Sequence, residues 1–221
     1  SGKGPWGDAL ASSGATAIGL ASALDPLFTP ALGGDDLAAQ MTLAARLINA
    51  NLGIRVLNGS FGSFDTHENQ VVRQQALLVE LDEAIAAFYA TLDSDFDRRV
   101  TIMTFYEFGR RGGANGSLGT DHGNSSNLLL VGKNVKGGLY GQAPYLNDLD
   151  GRGDPRTHVD FRSVYTTVLG SWLGADAAQI MGADYEDLGF FLGGPGEEVT
   201  GPITTGPWVP FASAADLVRQ Q

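Results

Sequence analysis

The stretch Thr104–Gly123, TFYEFGRRGGANGSLGTDHG, follows a short apolar run, and the rest of the chain is arranged around it. It holds six glycines and the charged or ligand-type side chains Glu107, Arg110, Arg111, Asp121 and His122. A loop this rich in glycine has little side-chain material to pack. Its charged groups must therefore be held by backbone hydrogen bonds, by one another or by a ligand.

A second, smaller cluster, Gly62–His67 (GSFDTH), also comes after an apolar run. Two of the three histidines of the protein lie in these two loops. A carboxylate and an imidazole are common ligands of divalent cations. The sequence therefore predicts that the two loops meet and hold a metal ion.

The composition indicates a globular chain and argues against several classes of partner. The 221 residues, 43% of them hydrophobic, are enough for a substantial core. A net charge of −11 argues against nucleic acid and anionic membrane surfaces as partners. No apolar run reaches the roughly 18 residues that span a bilayer, so we expect no transmembrane segment. Cysteine is absent, which excludes disulfides, thiolate metal ligands and a thiol nucleophile.

Apolar periodicity predicts three helices. One begins at Asp35, carries an apolar stripe at helical spacing and ends at Gly53. A long helix runs from about 68 to 92. A third is capped by Asp160 and ended by Gly174.

Three short apolar runs are strand candidates: Ile54–Leu57, Val100–Phe105 and Asn127–Val131. Strands that alternate with helices indicate an α/β layered domain with a mainly parallel sheet. Ligands bind at the carboxyl ends of such strands, and both charged loops directly follow a strand. Because three or four strands make a thin sheet for this much helix, we expect sequence outside this chain to supply the rest.

Composition divides the chain into four predicted segments: 1–34, 35–190, 191–210 and 211–221. The first is interpreted as a linker or surface segment, since two glycines weaken the helical pattern of Ala9–Leu24. The second is the α/β domain. The third is a Gly/Pro/Thr linker, and the fourth reads as the start of a truncated helical module. Since the sequence starts with Ser, we expect a processed chain or one that begins inside a longer gene product.

The metal-ligand motifs each have a second interpretation. Asp65 and His67 lie two residues apart and are able to share a divalent cation, but an Asp that merely orients a His gives the same pattern. Asp121 and His122 are adjacent, so their side chains converge only on an irregular backbone. A surface turn with an Asx hydrogen bond is the alternative there.

The charged residues of the glycine loop are also open to two interpretations. Glu107 lies where active-site carboxylates of α/β enzymes lie, but an ion pair with Arg110 or Arg111 would also explain it. The two arginines suit a phosphate or sulfate ligand, or are plain surface charges. His158 precedes a helix and is interpreted as a capping or surface residue. Neither a G-x-S-x-G elbow nor a Walker loop is present in the sequence.

Five motifs in a fixed order resemble the C-terminal half of a bacterial exported family, domain-of-unknown-function family 1501. The motifs are GSFDTHENQ at 62–70, EFGRR at 107–111, NGSLGTDHG at 115–123, GGLYG at 137–141 and DFRSVY at 160–165. That family is sulfatase-like and is grouped with the alkaline phosphatase superfamily. The resemblance covers about residues 35–190. It implies a three-layer α/β/α sandwich and export to the periplasm, the cell surface or the medium.

The resemblance also implies roles for individual residues. Asp65 and His67 would be a metal-binding pair, Glu107 the strand-end carboxylate, and His122, with Asp121 beside it, the last ligand. The metal would be a divalent ion such as zinc, calcium or manganese.

Two departures from the phosphatase pattern stand out. Phe108 follows Glu107 at the place where a phosphatase carries His, which weakens the prediction of a second metal. The N-terminal half of the domain, which carries the nucleophile, is absent from this sequence, so this chain alone is not expected to turn over substrate.

Three functions follow as hypotheses. The first is the C-terminal half of a metal-dependent hydrolase of sulfate or phosphate esters, partnered by the N-terminal half of the same domain. In it, Arg110 stabilises charge on the transferred group. The second is a non-catalytic cell-surface or extracellular protein, which assembles with itself or with other surface proteins. The third is a metal-stabilised module that binds an acidic glycan.

Overall fold

A computed structural model describes residues 4–28, 36–62, 64–195 and 197 of the chain. The helices are α1 (Gly4–Leu24), α2 (Leu37–Asn49), α3 (Gln70–Thr91), α4 (Phe161–Thr167) and α5 (Ala177–Met181). The strands are β1 (Ile102–Met103), β2 (Gly109–Ala114), β3 (Thr120–Gly123) and β4 (Leu130–Val131). These residues form two compact units. The first consists of the described residues up to Asp97 together with Ser117–Gly119. The second consists of Arg98–Gly116 together with the described residues from Thr120 onward.

Helices α2 and α3 of the first unit confirm two of the predicted helices. The Asp36 carboxylate accepts the N–H of Ala39 at 2.8 Å and so caps α2, one residue after the predicted start. The Asn49 side chain donates to the Thr91 carbonyl and accepts the N–H of Asp93, both at 2.9 Å, which ties the ends of the two helices together. The buried apolar residues of this unit are Leu37, Ala39, Ala45, Ala84 and Phe88.

The third predicted helix is also confirmed, in the second unit. The Asp160 carboxylate accepts the N–H of Arg162 at 2.9 Å at the start of α4. The helix continues as a π-helical turn, Val168–Trp172, and ends at Gly174, whose φ of 66° suits glycine. The Trp172 ring stacks on Phe191 with 4.9 Å between centroids and belongs to the core of this unit.

Helices and strands are mixed, as predicted, but the predicted mainly parallel sheet is wrong for the described residues. Strands β1 and β4 pair antiparallel, Ile102 opposite Val131 and Met103 opposite Leu130. Each is only two residues long, shorter than the predicted strand, because the ladder extends only where a neighbour supplies backbone partners. The predicted strand Ile54–Leu57 belongs to no ladder in the part of the chain that the structure describes.

The glycine stretch, predicted as a loop, contains an antiparallel hairpin, β2–β3. Gly109 is opposite Gly123, Arg110 opposite His122 and Ala114 opposite Thr120, with an irregularity between the pairs. Sequence pattern did not indicate these strands, because GRRGGA lacks apolar alternation.

The segment 1–34, predicted as a linker or surface segment, includes α1 and a 3-10 turn, Asp25–Phe28. Residues 11–22 of α1 are exposed. The predicted segments 191–210 and 211–221 lie outside the described residues, apart from 191–195 and 197. No helix in the described ranges is long and apolar enough to cross a membrane.

Candidate functional site

Asp65 and His67, in the first unit, form a close pair. His67 Nε2 lies 2.8 Å from Asp65 Oδ1, and the two side chains are 44% and 39% exposed. Between them, Thr66 is buried, and its N–H bonds to the Phe64 carbonyl at 2.8 Å. The His67 N–H bonds to the Asp65 carbonyl at 3.2 Å. A tight turn with a buried centre therefore directs both side chains outward on the same side.

The spacing of the two ligand atoms fits a shared cation. Zinc bonds of about 2.0–2.2 Å at angles of about 90–109° place two ligand atoms about 3.0–3.4 Å apart. The observed separation of 2.8 Å is a hydrogen-bond distance, only slightly shorter than that range. A small increase in the distance between these two atoms is enough to admit a divalent ion. Without an ion, Asp65 orients the His67 ring.

The backbone that follows His67 is fixed by Ser117–Gly119, which belongs to the same unit. The N–H of Asn69 bonds to Ser117 O at 3.1 Å, and the N–H of Gln70 bonds to Leu118 O at 2.9 Å. These bonds satisfy N–H groups at the start of α3, where the Asn69 side chain makes no cap. Gly119 is so close to the backbone of His67 that a Cβ there would clash with it.

His122, in the second unit, is held by an aromatic contact. Its ring stacks on Phe108 with 4.0 Å between centroids and 14° between planes. The Arg110 guanidinium carbon lies 5.4 Å from the centroid of the Phe108 ring, and its Nη1 donates to the Thr120 carbonyl at 3.0 Å. Since Arg110 and His122 are directly opposite in the hairpin, both side chains project from the same face.

The opposite face of the hairpin carries the neighbouring residues, because side chains alternate along a strand. Asp121 lies there and accepts a hydrogen bond from Asn115 Nδ2 at 3.2 Å. Arg111 Nε lies 3.9 Å from Oδ1 of the buried Asp154. The alternation therefore separates Asp121 from His122, and the role of Asp121 as a ligand stays a prediction.

Glu107 and His158 are both exposed. Within the described ranges Glu107 forms no hydrogen bond or ion pair, so the predicted alternative of an ion pair with Arg110 or Arg111 is not formed there. Its role as a strand-end metal ligand stays a prediction. His158 lies two residues before the capping residue Asp160, in agreement with a surface role.

Sequence reasoning missed the residues that hold the hairpin in place. Asp154 is 5% exposed, and its Oδ1 is buried without a hydrogen-bond partner in the part of the chain that is described. A Cβ on Gly123 would lie 2.7 Å from that oxygen. The N–H groups of Asp154 and Arg152 both bond to the Asp150 carboxylate and lower its pKa. In the sequence, only the high density of Asp and Gly in this loop indicates such packing.

Comparison with curated proteins and with solved structures found no match to this chain. A family described as "Protein of unknown function (DUF1501)" matches residues 13–200, which include both charged loops and the β2–β3 hairpin. The matched range is most of the 221 residues and contains all five motifs. The chain belongs to the DUF1501 family of proteins of unknown function.

Proposed function

We propose that Asp65, His67 and His122 bind one divalent cation, and that this chain is the C-terminal half of a hydrolase of sulfate or phosphate esters. The observation that carries the metal proposal is the Asp65–His67 pair, whose Oδ1 and Nε2 atoms are 2.8 Å apart and whose side chains are partly exposed. The export and the N-terminal partner half belong to the same proposal and rest on the sequence resemblance.

Chain connectivity supports His122 as the third ligand. Gly119 is in contact with the backbone of His67 within the first unit. Three peptide units of about 3.8 Å each limit the Cα of His122 to roughly 11 Å from that of Gly119. The two side chains are long enough to close much of that distance, and for this reason we include His122 in the proposed ligand set.

The donor set favours zinc over calcium. Two imidazoles and one carboxylate are typical ligands of zinc, whereas calcium prefers six to eight oxygen atoms. With three protein ligands, a fourth position stays open for water or substrate. When bound, such an ion polarises an ester oxygen and lowers the pKa of a bound water.

In this proposal, residues of this chain orient His122 and supply positive charge for the substrate. Phe108 packs flat against His122 and shields one side of its ring from water. Arg110 projects from the same hairpin face as His122 and offers a planar set of donors, which suits sulfate or phosphate oxygens. The nucleophile is expected from the N-terminal half of the domain, so activity requires both halves.

The test is metal content of the untagged, unchelated protein, measured by mass spectrometry beside single alanine variants of the three histidines. We expect at least one equivalent of metal in the wild type, lost in His67→Ala and His122→Ala. His158→Ala is the matched control, because His158 is exposed and outside both loops, and it should keep the metal. Equal metal content in all four proteins would refute the site.

Stability provides an independent measurement of binding. An ion that binds only the folded protein adds about 2.7 kcal/mol when its concentration is 100 times Kd. Zinc added to the chelator-treated wild type and to His158→Ala should therefore raise Tm, and zinc added to His122→Ala should not. Hydrolysis of p-nitrophenyl sulfate and p-nitrophenyl phosphate is then assayed on the chain combined with its N-terminal half.

One observation favours the second hypothesis, a non-catalytic role in assembly. Val71 and Val72 at the start of α3 are each 73% exposed, which is unusual for adjacent β-branched residues in a folded unit. A surface of this kind suits contact with another protein. A protein that keeps both halves, contains no metal and hydrolyses neither ester would support assembly over hydrolysis.

A further inference from the structure

The sequence contains two Asn-Gly pairs, Asn58-Gly59 and Asn115-Gly116, and each is followed by serine. Asn-Gly is the dipeptide that loses its side-chain amide most readily, because glycine has no Cβ to hinder attack of its backbone nitrogen on the preceding side chain. Since the two pairs and the residue after them are identical, a difference in their reactivity reflects the folded structure.

The first pair is not held by its surroundings. Asn58 and Gly59 are exposed, in a stretch that is neither helix nor strand. In the described part of the chain, neither the Asn58 side chain nor the Gly59 N–H forms a hydrogen bond. No bond must therefore be broken there before the Asn58 carboxamide turns towards the Gly59 nitrogen.

The second pair is held by the β2–β3 hairpin. Asn115 Nδ2 donates to Asp121 Oδ1 at 3.2 Å, and Asn115 makes at least one further interaction. The residue before it, Ala114, pairs with Thr120 in the ladder. Turning the Asn115 carboxamide towards the next backbone nitrogen breaks the bond to Asp121, so the fold protects this amide.

We infer that Asn58 is a site of spontaneous deamidation. The Gly59 nitrogen attacks Cγ of the Asn58 carboxamide and forms a new C–N bond. The bond from Cγ to the side-chain nitrogen breaks, and that nitrogen leaves as ammonia with the proton from the Gly59 N–H. One water molecule then opens the resulting succinimide ring at either carbonyl, which gives aspartate or isoaspartate. Water is consumed and ammonia released, and no other reagent is needed.

The products differ from asparagine in charge and in backbone. Both carry a carboxylate in place of a neutral amide, so the net charge becomes more negative than −11. In isoaspartate the main chain runs through the side chain and is one atom longer. Gln40 donates to Ser60 O at 2.9 Å and accepts the Ser60 N–H at 3.1 Å, and the longer chain displaces Ser60 from this contact. The inference goes beyond ester hydrolysis and is independent of the metal, since Asn58 is outside the proposed ligand set.

The test is peptide mapping by mass spectrometry of the full 221-residue chain during incubation at mildly alkaline pH. Initial rates of amide loss are compared at Asn58 and at Asn115, the internal control. In the folded chain Asn58 should react at least about tenfold faster, a ratio equal to about 1.4 kcal/mol and similar to the effect of the hydrogen bond that holds Asn115. In the same chain unfolded by denaturant, both should react at the same rate.

Two variants of the first pair test the succinimide route. Gly59→Ala adds a Cβ that hinders the attack. The fold should tolerate it, because the φ of Gly59 is not positive and the nearest described atom, Gln40 Oε1, would lie at 3.4 Å. Asn58→Gln keeps the amide but requires a larger ring. In both variants amide loss at position 58 should slow at least about tenfold, while circular dichroism and the rate at Asn115 stay as in the wild type.

Each contrary result overturns the inference. Equal rates at Asn58 and Asn115 in the folded chain would show that the fold does not distinguish the two pairs. A rate at Asn58 that rises on unfolding as much as that at Asn115 would show that Asn58 is held in the folded chain. An unchanged rate in Gly59→Ala would exclude attack by the Gly59 nitrogen. The metal content of Asn58→Gln is expected to match the wild type, so this inference and the metal site fail separately.

Discussion

Substituting Gly119 by alanine tests the contact that brings the glycine loop to the His67 turn. A Cβ at Gly119 would lie less than 3.0 Å from three backbone atoms of His67 and Glu68, among them Glu68 N at 2.6 Å. Backbone atoms are unable to rotate away as the end of a side chain does. Gly119 does not have the positive φ that alanine avoids, so the expected effect is steric.

The size of the effect follows from the distances. Ordinary Cβ contacts lie at 3.4–4 Å, so the Ser117–Gly119 backbone must retreat by roughly 1 Å. That shift lengthens the bonds from Asn69 N to Ser117 O, now 3.1 Å, and from Gln70 N to Leu118 O, now 2.9 Å, beyond hydrogen-bond range. Overpacking costs about 1–3 kcal/mol and each lost bond about 0.5–1.5 kcal/mol. We therefore expect the free energy of unfolding to fall by about 2–6 kcal/mol.

Denaturant unfolding compares Gly119→Ala with Gly116→Ala, a matched control in the same loop. Nothing lies within 4 Å of a Cβ at Gly116, and its φ is not positive, so this variant should remain within about 0.5 kcal/mol of the wild type. Amide exchange at Asn69 and Gln70 should accelerate only in Gly119→Ala. If the two variants are equally stable and exchange alike, the close contact is absent, and with it the support for His122 as a ligand near His67.

Two further predictions concern helix starts. Hydrogen bonds from the Arg162 side chain and backbone lower the pKa of Asp160 from its ordinary 3.8 to about 2. Because the folded-state pKa is depressed, this contribution to stability is complete above pH 3.8 and is lost as the pH falls through about 2. NMR titration should give a midpoint near 2 in the wild type and nearer 3.8 in Arg162→Gln, and equal midpoints would contradict the assignment. Asp36→Ala should lower the free energy of unfolding by about 1 kcal/mol because it removes the cap on Ala39, whereas Asp36→Asn should stay close to the wild type. Equal loss in both variants would show that the carboxylate charge, and not the cap, matters.

The helices could be predicted from the sequence because their signals are local. An apolar stripe together with Asp36, Asp160 and Gly174 sets the starts of α2 and α4 and the end of the third helix to within a residue or two, although α2 ends at Asn49 and not at the predicted Gly53. Strands depend on distant partners. Ile54–Leu57 has the composition of a strand but belongs to no ladder among the described residues. Gly109–Ala114 lacks that composition and yet forms a strand, because it pairs with Thr120–Gly123.

The candidate site could be predicted only where its signals are local in the sequence. The sequence indicated the candidate ligand types and the two loops, and the contact between Asp65 and His67 follows from a turn of three residues. It could not show that Asp121 and His122 project from opposite faces, because that depends on the hairpin. Nor could it show that Phe108, a departure from the phosphatase pattern, stacks on His122.

The glycines of the central stretch provide rigidity as well as turns. Three of them allow close approach to another backbone: Gly109 to Ser125, Gly119 to His67, and Gly123 to Arg110. A Cβ at any of these three positions would meet atoms closer than 3.0 Å, whereas Gly113 and Gly116 have open space. A metal site needs ligands held to within a fraction of an ångström. Close backbone contacts on each side of His122 restrict the chain there without bulky side chains, so a glycine-rich sequence is compatible with the proposed metal site.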